Sequence, residues 1–421
     1  MIPRDMLLSH FRAALAAVEP AAAVRAAVRR DGDWLHCGSW RHRLAGRVIV
    51  IGAGKASAPM AMAIEELVAD RLHGGCIVVK YGHTSPLKYL RLYEAGHPVP
   101  DAAGALGAQG IENAVRGLNP DDLVIFCLSG GASSLLPAPR PPLTLADKQT
   151  VTALLLASGA DIHAVNTVRK HLSRLKGGRL ALACAPATVL TLVISDVPGD
   201  DLSIIGSGPT TPDYSTAADA LAIVTKCLPA SQVPPAVIAA LSQPETRTPK
   251  DFAHVHQQII ASNRIAINAV GRATKPAEFF IADPLTGEAH LAAENFCRRA
   301  AALPSGSLLV AGGETTVTLG EHPGRGGRNQ EFALAAARWT MAHDVPLTVL
   351  AAGTDGNDGP TDAAGGVVDG TSWERAIAAG LDPHRALAGH DAYPLLQAIG
   401  DLVITGPTNT NVMDLAIAYR T

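Results

Sequence analysis

Short apolar runs that end in glycine-rich polar turns recur along this chain of 421 residues. Arg47 to Gly52, RVIVIG, is the first, and its β-branched run has the pattern of a strand buried on both faces. The turn Ala53-Gly54-Lys55-Ala56-Ser57 follows, and after Pro59 the residues Ile64, Leu67 and Val68 fall at helical spacing. Cys76 to Lys80 reads as the next strand, giving strand, glycine turn, helix, strand. The same reading predicts a helix over 102–118, a strand over 123–128, helices over 144–159 and 166–176, and a strand over 188–194. Upstream, residues 6–30 carry helical spacing that Pro20 divides into two helices. Prolines gather from 229 to 249 and mark a domain boundary. A second series then begins, with strands expected at 258–261, 279–282, 307–311, 315–319, 347–351 and 402–404. Its helices are expected near 264–275, 287–302, 329–342 and 371–380, and a last helix is expected after the polar loop 406–411. The pattern is that of an α/β protein in two domains, 1–245 and 246–421.

Chemistry-bearing residues collect where the predicted strands end, the edge at which open α/β sheets bind ligands. Gly52-Ala-Gly54-Lys-Ala-Ser57 is a truncated dinucleotide fingerprint with serine in the third glycine's place. Lys80-Tyr81-Gly82 stands where a dehydrogenase carries an acid, and no Walker A spacing is present. Lys55 is then either an exposed turn lysine or an anion contact reinforced by the following helix start. Ser129-Gly130-Gly131-Ala132-Ser133-Ser134 is an ordinary turn or a phosphate nest. Asp196, Asp200 and Asp201 are loop caps, or partners of Mg²⁺ and candidates for a general base. Asp355, Asp358 and Asp362 either bind a divalent ion or satisfy their own turns. Gly312-Gly313-Glu314, then Arg325 and Arg328 on glycine hinges before Asn329, form an anion-handling stretch. Arg169, Lys170, Arg174, Lys176 and Arg179 read as a solvated face or a field steering an anionic ligand. His97 and His322 each precede a proline and are expected to serve loop hydrogen bonds, and no catalytic triad emerges.

Composition narrows the classes. A net charge of −3 and 4% aromatics argue against nucleic-acid binding, which needs a basic surface and stacking platforms. Six scattered cysteines without a C-x-x-C pair favour reduced thiols over a disulfide frame or zinc site. No apolar run is long enough to span a membrane, so a cytoplasmic protein is expected.

The motifs quoted above resemble the type II glycerate kinase family. So do Gly96-His-Pro-Val-Pro-Asp101, Gly206-Ser-Gly-Pro-Thr210, Gly326-Gly-Arg-Asn-Gln-Glu331 and Gly353-Thr-Asp-Gly-Asn-Asp358. Nearly the whole chain is covered, in order, and the C-terminal part resembles the module called MOFRL. Ala132 departs from a commoner glycine. The resemblance implies a Rossmann-like parallel sheet, a MOFRL-type α/β domain and an active site in the interdomain cleft. It implies ATP- and Mg²⁺-dependent phosphorylation of D-glycerate at the 2-hydroxyl, with a homodimer left open. The resemblance implicates Lys55 and an arginine of the loop Gly324 to Arg328 in activity, with Arg328 favoured over Arg325, and Asp196 is the expected base. Gly54, Ser129, Gly130, Gly131, Ser133, Ser134, Arg325, Glu314 and Asn329 are expected to bind substrate or phosphate. Mg²⁺ is expected on some of Asp196, Asp200, Asp355 and Asp358. A hydroxypyruvate reductase using NAD(P)H and a non-catalytic sugar-acid-phosphate sensor are the rival readings.

Overall fold

The computed structural model describes residues 3–243, 251–273 and 278–421. The end of the helix expected over 264–275, and Pro244 and Pro249 of the expected boundary, lie outside them. The chain forms two compact units, Pro20–Ile260 and Ala261–Thr421, the latter joined by Met1–Glu19. The boundary therefore falls after Ile260 instead of near 245, and the first helix belongs with the C-terminal unit.

The N-terminal unit opens with α2 (Pro20–Ala27), which follows α1 (Pro3–Ala17) of the other unit. An antiparallel meander of β1 (Val28–Asp31), β2 (Trp34–Cys37) and β3 (Trp40–Arg43) comes next, so Val28 ends the expected second helix as a strand residue. The core sheet contains β4 (Val48–Ala53), β5 (Leu72–Lys80), β6 (Arg91–Ala95), β7 (Leu123–Leu128), β8 (Thr188–Ile194) and β9 (Val255–Ala261). Its order is β6-β5-β4-β7-β8-β9, with the ladders from β6 through β8 parallel. Every residue of β4 and β7 is buried, as their unbroken apolar runs require. α3 (Ser57–Val68) and α4 (Ala102–Ala114) connect the first strands, followed by the short α5 (Ala132–Leu135). Then come α6 (Leu145–Ala157), α7 (Ile162–His171), α8 (Arg179–Cys184), α9 (Ala217–Cys227) and α10 (Pro235–Ser242). Thr144 starts α6 with a capping box closed by Asp147, as its spacing predicts. Apolar residues of α6, α7, α9 and α10 form a satellite core of their own.

The C-terminal unit contains α11 (Asn263–Ala273), β10 (Phe279–Ile281), α12 (Ala289–Ala301), β11 (Leu308–Gly313) and α13 (Arg328–His343). After these come β12 (Leu347–Gly353), β13 (Gly365–Asp369), β14 (Leu402–Val403) and β15 (Asp414–Arg420), with three short helices between β13 and β14. The sheet order is β10-β11-β15-β12-β13-β14. The chain thus ends in a strand, not the expected helix. β15 is antiparallel to both β11 and β12 and fills the space between them, where an apolar segment is covered on both faces. Residues 315–319 form no strand. Thr316 makes an isolated bridge to Glu288, and burial fades along the segment, from buried Thr315 through half-buried Val317 to exposed Leu319.

Candidate active site

In the N-terminal unit the strand order reverses between β4 and β7, which opens a crevice at their carboxyl ends. Two turns meet there. Ser129 N donates to Ala53 O at 3.1 Å and Lys55 N donates to Gly130 O at 2.9 Å. Ser129 Oγ accepts from Ala56 N at 3.0 Å, while Ser57 Oγ donates to Cys127 O at 2.9 Å. Gly54 has φ +133°, and a Cβ there would lie 2.1 Å from Ser129 Oγ. Its glycine lets one turn seat on the other, so the close approach is between loops.

The serine hydroxyls also hold the turn together. Ser134 Oγ donates to Gly131 O at 3.1 Å, and Ser133 Oγ bonds Ser207 Oγ at 2.9 Å. The amides of Gly131 and Ser133 have no backbone acceptor among the described residues, so peptide N–H groups are what the turn offers an anion. Asp196, at the end of β8, reaches the same place. A Cβ on Gly130 would lie 1.9 Å from Asp196 Oδ2, so only glycine lets the carboxylate in. Asp200, in a left-handed turn at φ +57°, and Asp201, which caps Ser203 N at 2.8 Å, belong to the loop's own geometry.

His97 is a residue that sequence reasoning assigned to its own loop. Its ring faces Gly131, where a Cβ would come within 3.0 Å of His97 Cδ2 and 3.5 Å of Lys55 Cγ. Burial, and then the charge of Lys55, push the His97 imidazole down to about 4, so it is neutral near pH 7. The basic run after α6 also departs from its reading as a solvated face: Lys170 and Lys176 are 8% and 2% exposed.

In the C-terminal unit Arg328 opens α13, and Gly313 and Gly353 both pair with Asp414. Arg328 Nε and Nη2 donate to Asp414 Oδ2 and Oδ1 at 2.6 and 3.0 Å, and Nη1 donates to Glu314 Oε1 at 2.5 Å. Glu314 therefore positions the arginine, and its remaining N–H groups are left for a ligand. Asp414 was missed because the segment reads as a terminal helix, although a carboxylate inside the apolar run 412–418 is a signal in itself. Arg325 lies over the Tyr393 ring, 3.9 Å from its centroid. Arg328, Asp355 and Asp358 line a pocket of about 410 Å³ whose apolar wall includes Val317, Leu319, Pro323 and Ala392.

Asp358 is a cap. Its Oδ1 accepts from Asn329 N at 3.1 Å and Asn329 Nδ2 at 3.3 Å, and Oδ2 accepts from Gln330 N at 2.8 Å. Asn329 is thereby turned into the protein. Burial outweighs these bonds and lifts the Asp358 carboxyl to about 6. The folded chain then keeps a proton that the unfolded chain releases near pH ~4. Stability attributable to Asp358 is therefore expected to fall as pH rises from about 4 to about 6 and to stay level above. Urea titrations across that range are expected to show the slope in the native chain and to lack it in Asp358→Asn.

The four aspartates expected to hold Mg²⁺ are divided between the two compact units. Asp196 and Asp200 belong to one unit, Asp355 and Asp358 to the other. Both Asp358 oxygens face the start of α13. Among the described residues no three His, Cys, Asp or Glu side chains gather to hold a metal ion. Asp355 accepts from Asn357 N at 3.1 Å through Oδ1 and lines the pocket beside Arg328. One carboxylate fits an ion that retains waters and arrives on phosphate oxygens, the usual habit of Mg²⁺.

Residues 6–242 match the family model described as a domain of unknown function, DUF4147, and residues 307–414 match the MOFRL family. The chain is 43% identical to "Putative hydroxypyruvate reductase" of Agrobacterium vitis, over 98% of this chain and 93% of that one. It is 38% identical to "Glycerate 2-kinase" of Pyrococcus horikoshii, over 97% and 95%. The crystal structure of a glycerate kinase from Thermotoga maritima superposes with a TM-score of 0.89 at 37% identity, covering 100% of this chain and 99% of that one. With both family models matched in order and full-length likeness to such kinases, the chain belongs to the glycerate kinase family and carries that family's MOFRL module at its C-terminal end.

Proposed function

We propose that this protein transfers the γ-phosphoryl group of ATP to the 2-hydroxyl of D-glycerate. The observation that carries the reading is the crevice between β4 and β7. There Lys55, the peptide amides of Gly131 and Ser133, and the Asp196 carboxylate against Gly130 come from turns stitched to one another. Phosphoryl transfer asks a protein mainly for positioning and neutralisation of charge, plus a group that accepts the hydroxyl proton. Lys55 and the amides supply the first, and Asp196 supplies the second. The pocket beside Arg328 suits the nucleotide, with an apolar wall for a base and a guanidinium for phosphate oxygens. Bound Mg²⁺ would neutralise those oxygens, held by Asp355. We assign the protein to the cytoplasm, where its six free cysteines stay reduced.

Phosphorus-31 NMR of a reaction with ATP, Mg²⁺ and D-glycerate tests the reading. The 2-phosphoglycerate resonance is expected, with none from L-glycerate. A 3-phosphoglycerate resonance would overturn the regiochemistry, and no ester at all would sink the kinase. NADH mixed with hydroxypyruvate is expected to keep its absorbance, because β5 ends in Lys80 where a dinucleotide ribose needs an acid.

A further inference from the structure

α7 is tied to the crevice turn by a chain of hydrogen bonds. Ser207 Oγ donates to Asn166 Oδ1 at 3.0 Å and also bonds Ser133 Oγ at 2.9 Å. Arg169 lies three residues after Asn166 and so shares its helix face. Its neighbours have answered their charges: Lys170 pairs with Asp213 at 3.5 Å, and Arg174 with Glu112 at 2.8 Å. Lys176 Nζ donates to Leu136 O at 2.8 Å, and Lys148 Nζ donates to Pro137 O. Arg169 has no hydrogen bond or ion pair among the described residues, though it is half-buried. Burial holds its guanidinium below the usual arginine value, and its charge reaches His97, Lys148 and Lys176. A partly desolvated guanidinium that faces other cations and no acid is unfavourable in the empty protein, and an anionic ligand removes that cost.

We propose that Arg169 binds the carboxylate of the hydroxy-acid substrate, its planar fork on both carboxylate oxygens. The assignment of the substrate rests on the kinase reading above. A carboxylate fits better than a nucleotide triphosphate for two reasons. The two buried lysines that feel the charge of Arg169 are already capped by carbonyls and burial weakens their charge, Lys148 falling to about 7, so they add little to Arg169 for several negative charges. In a 2-phospho acid the carboxyl and phosphoryl groups sit on adjacent carbons. A carboxylate site joined through Asn166 and Ser207 to the turn that receives the phosphoryl group matches that spacing. Arg169 is thus a specificity-determining contact for acids over neutral polyols.

Arg169→Gln and Arg169→Lys test this by steady-state kinetics and by calorimetric titration of D-glycerate without ATP. Arg169→Gln is expected to raise the KM for D-glycerate about 10–100-fold, to leave the KM for ATP within about twofold, and to weaken calorimetric binding equally. Arg169→Lys, which keeps charge without the fork, should fall between. Both variants are expected to melt no lower than the native chain, because Arg169 gives up no partner. An unchanged glycerate KM, or a rise in the KM for ATP instead, overturns the proposal, as does absence of D-glycerate binding to the native chain. Binding that Arg169→Gln loses, in a chain that makes no phosphate ester, would keep the carboxylate site and dismiss only the kinase.

Discussion

Arg328→Ala is expected to lower kcat by on the order of 10³-fold, the scale on which a transition-state arginine acts in phosphoryl transfer. The effect is expected in kcat more than in the KM for ATP, because a guanidinium aimed at transferring charge gains strength as that charge develops. A large rise in KM with kcat intact would make Arg328 a uniform nucleotide contact. The substitution also strands Asp414, whose side chain is 2% exposed while that of Arg328 is 35% exposed. Solvent reaching the arginine moderates the loss, which is expected at roughly 2 kcal/mol in urea unfolding. Arg328→Lys separates the two effects. It keeps a cation beside Asp414 and so most of the stability, but loses the two-pronged grip and so most of the activity.

Lys55→Ala is expected to lower kcat by about 10²–10³-fold, the cost of removing one preorganised donor from developing negative charge. Stability is expected to change little. Among the described residues the ammonium has no protein acceptor, and what anchors the turn is the Lys55 backbone N–H, which alanine keeps. Activity within a few-fold of the native chain, measured at saturating ATP and D-glycerate, would remove Lys55 from the chemistry. Together the two variants ask whether each unit's cation acts on the reaction.

The strands of the first unit were legible because β4, β7 and β8 are short apolar runs whose burial on both faces requires such a sequence. Helix starts were legible where a side chain closes its own cap, as Thr144 does with Asp147. β15 was not legible. A short apolar run such as 415–419 suits a buried strand or a buried helix, and only the gap between β11 and β12 decides. Lys55, Gly130 and Asp196 could be picked out because catalytic turns in such sheets follow strand ends. His97 and Arg169 could not, since nothing local to a proline loop or a basic helix tells which neighbour it faces.

Alone, the sequence determined the α/β class and the strand-end positions of the polar turns, because apolar periodicity and turn chemistry are local properties, and its motifs carried the resemblance to glycerate kinases. Tertiary structure alone decided which charges are answered. Asp358 became a helix cap, Arg328 a partner of Asp414, and Arg169 a half-buried cation without a partner among the described residues. The reason is that hydrogen-bond partners and desolvation depend on residues far away in the chain, which no local pattern records.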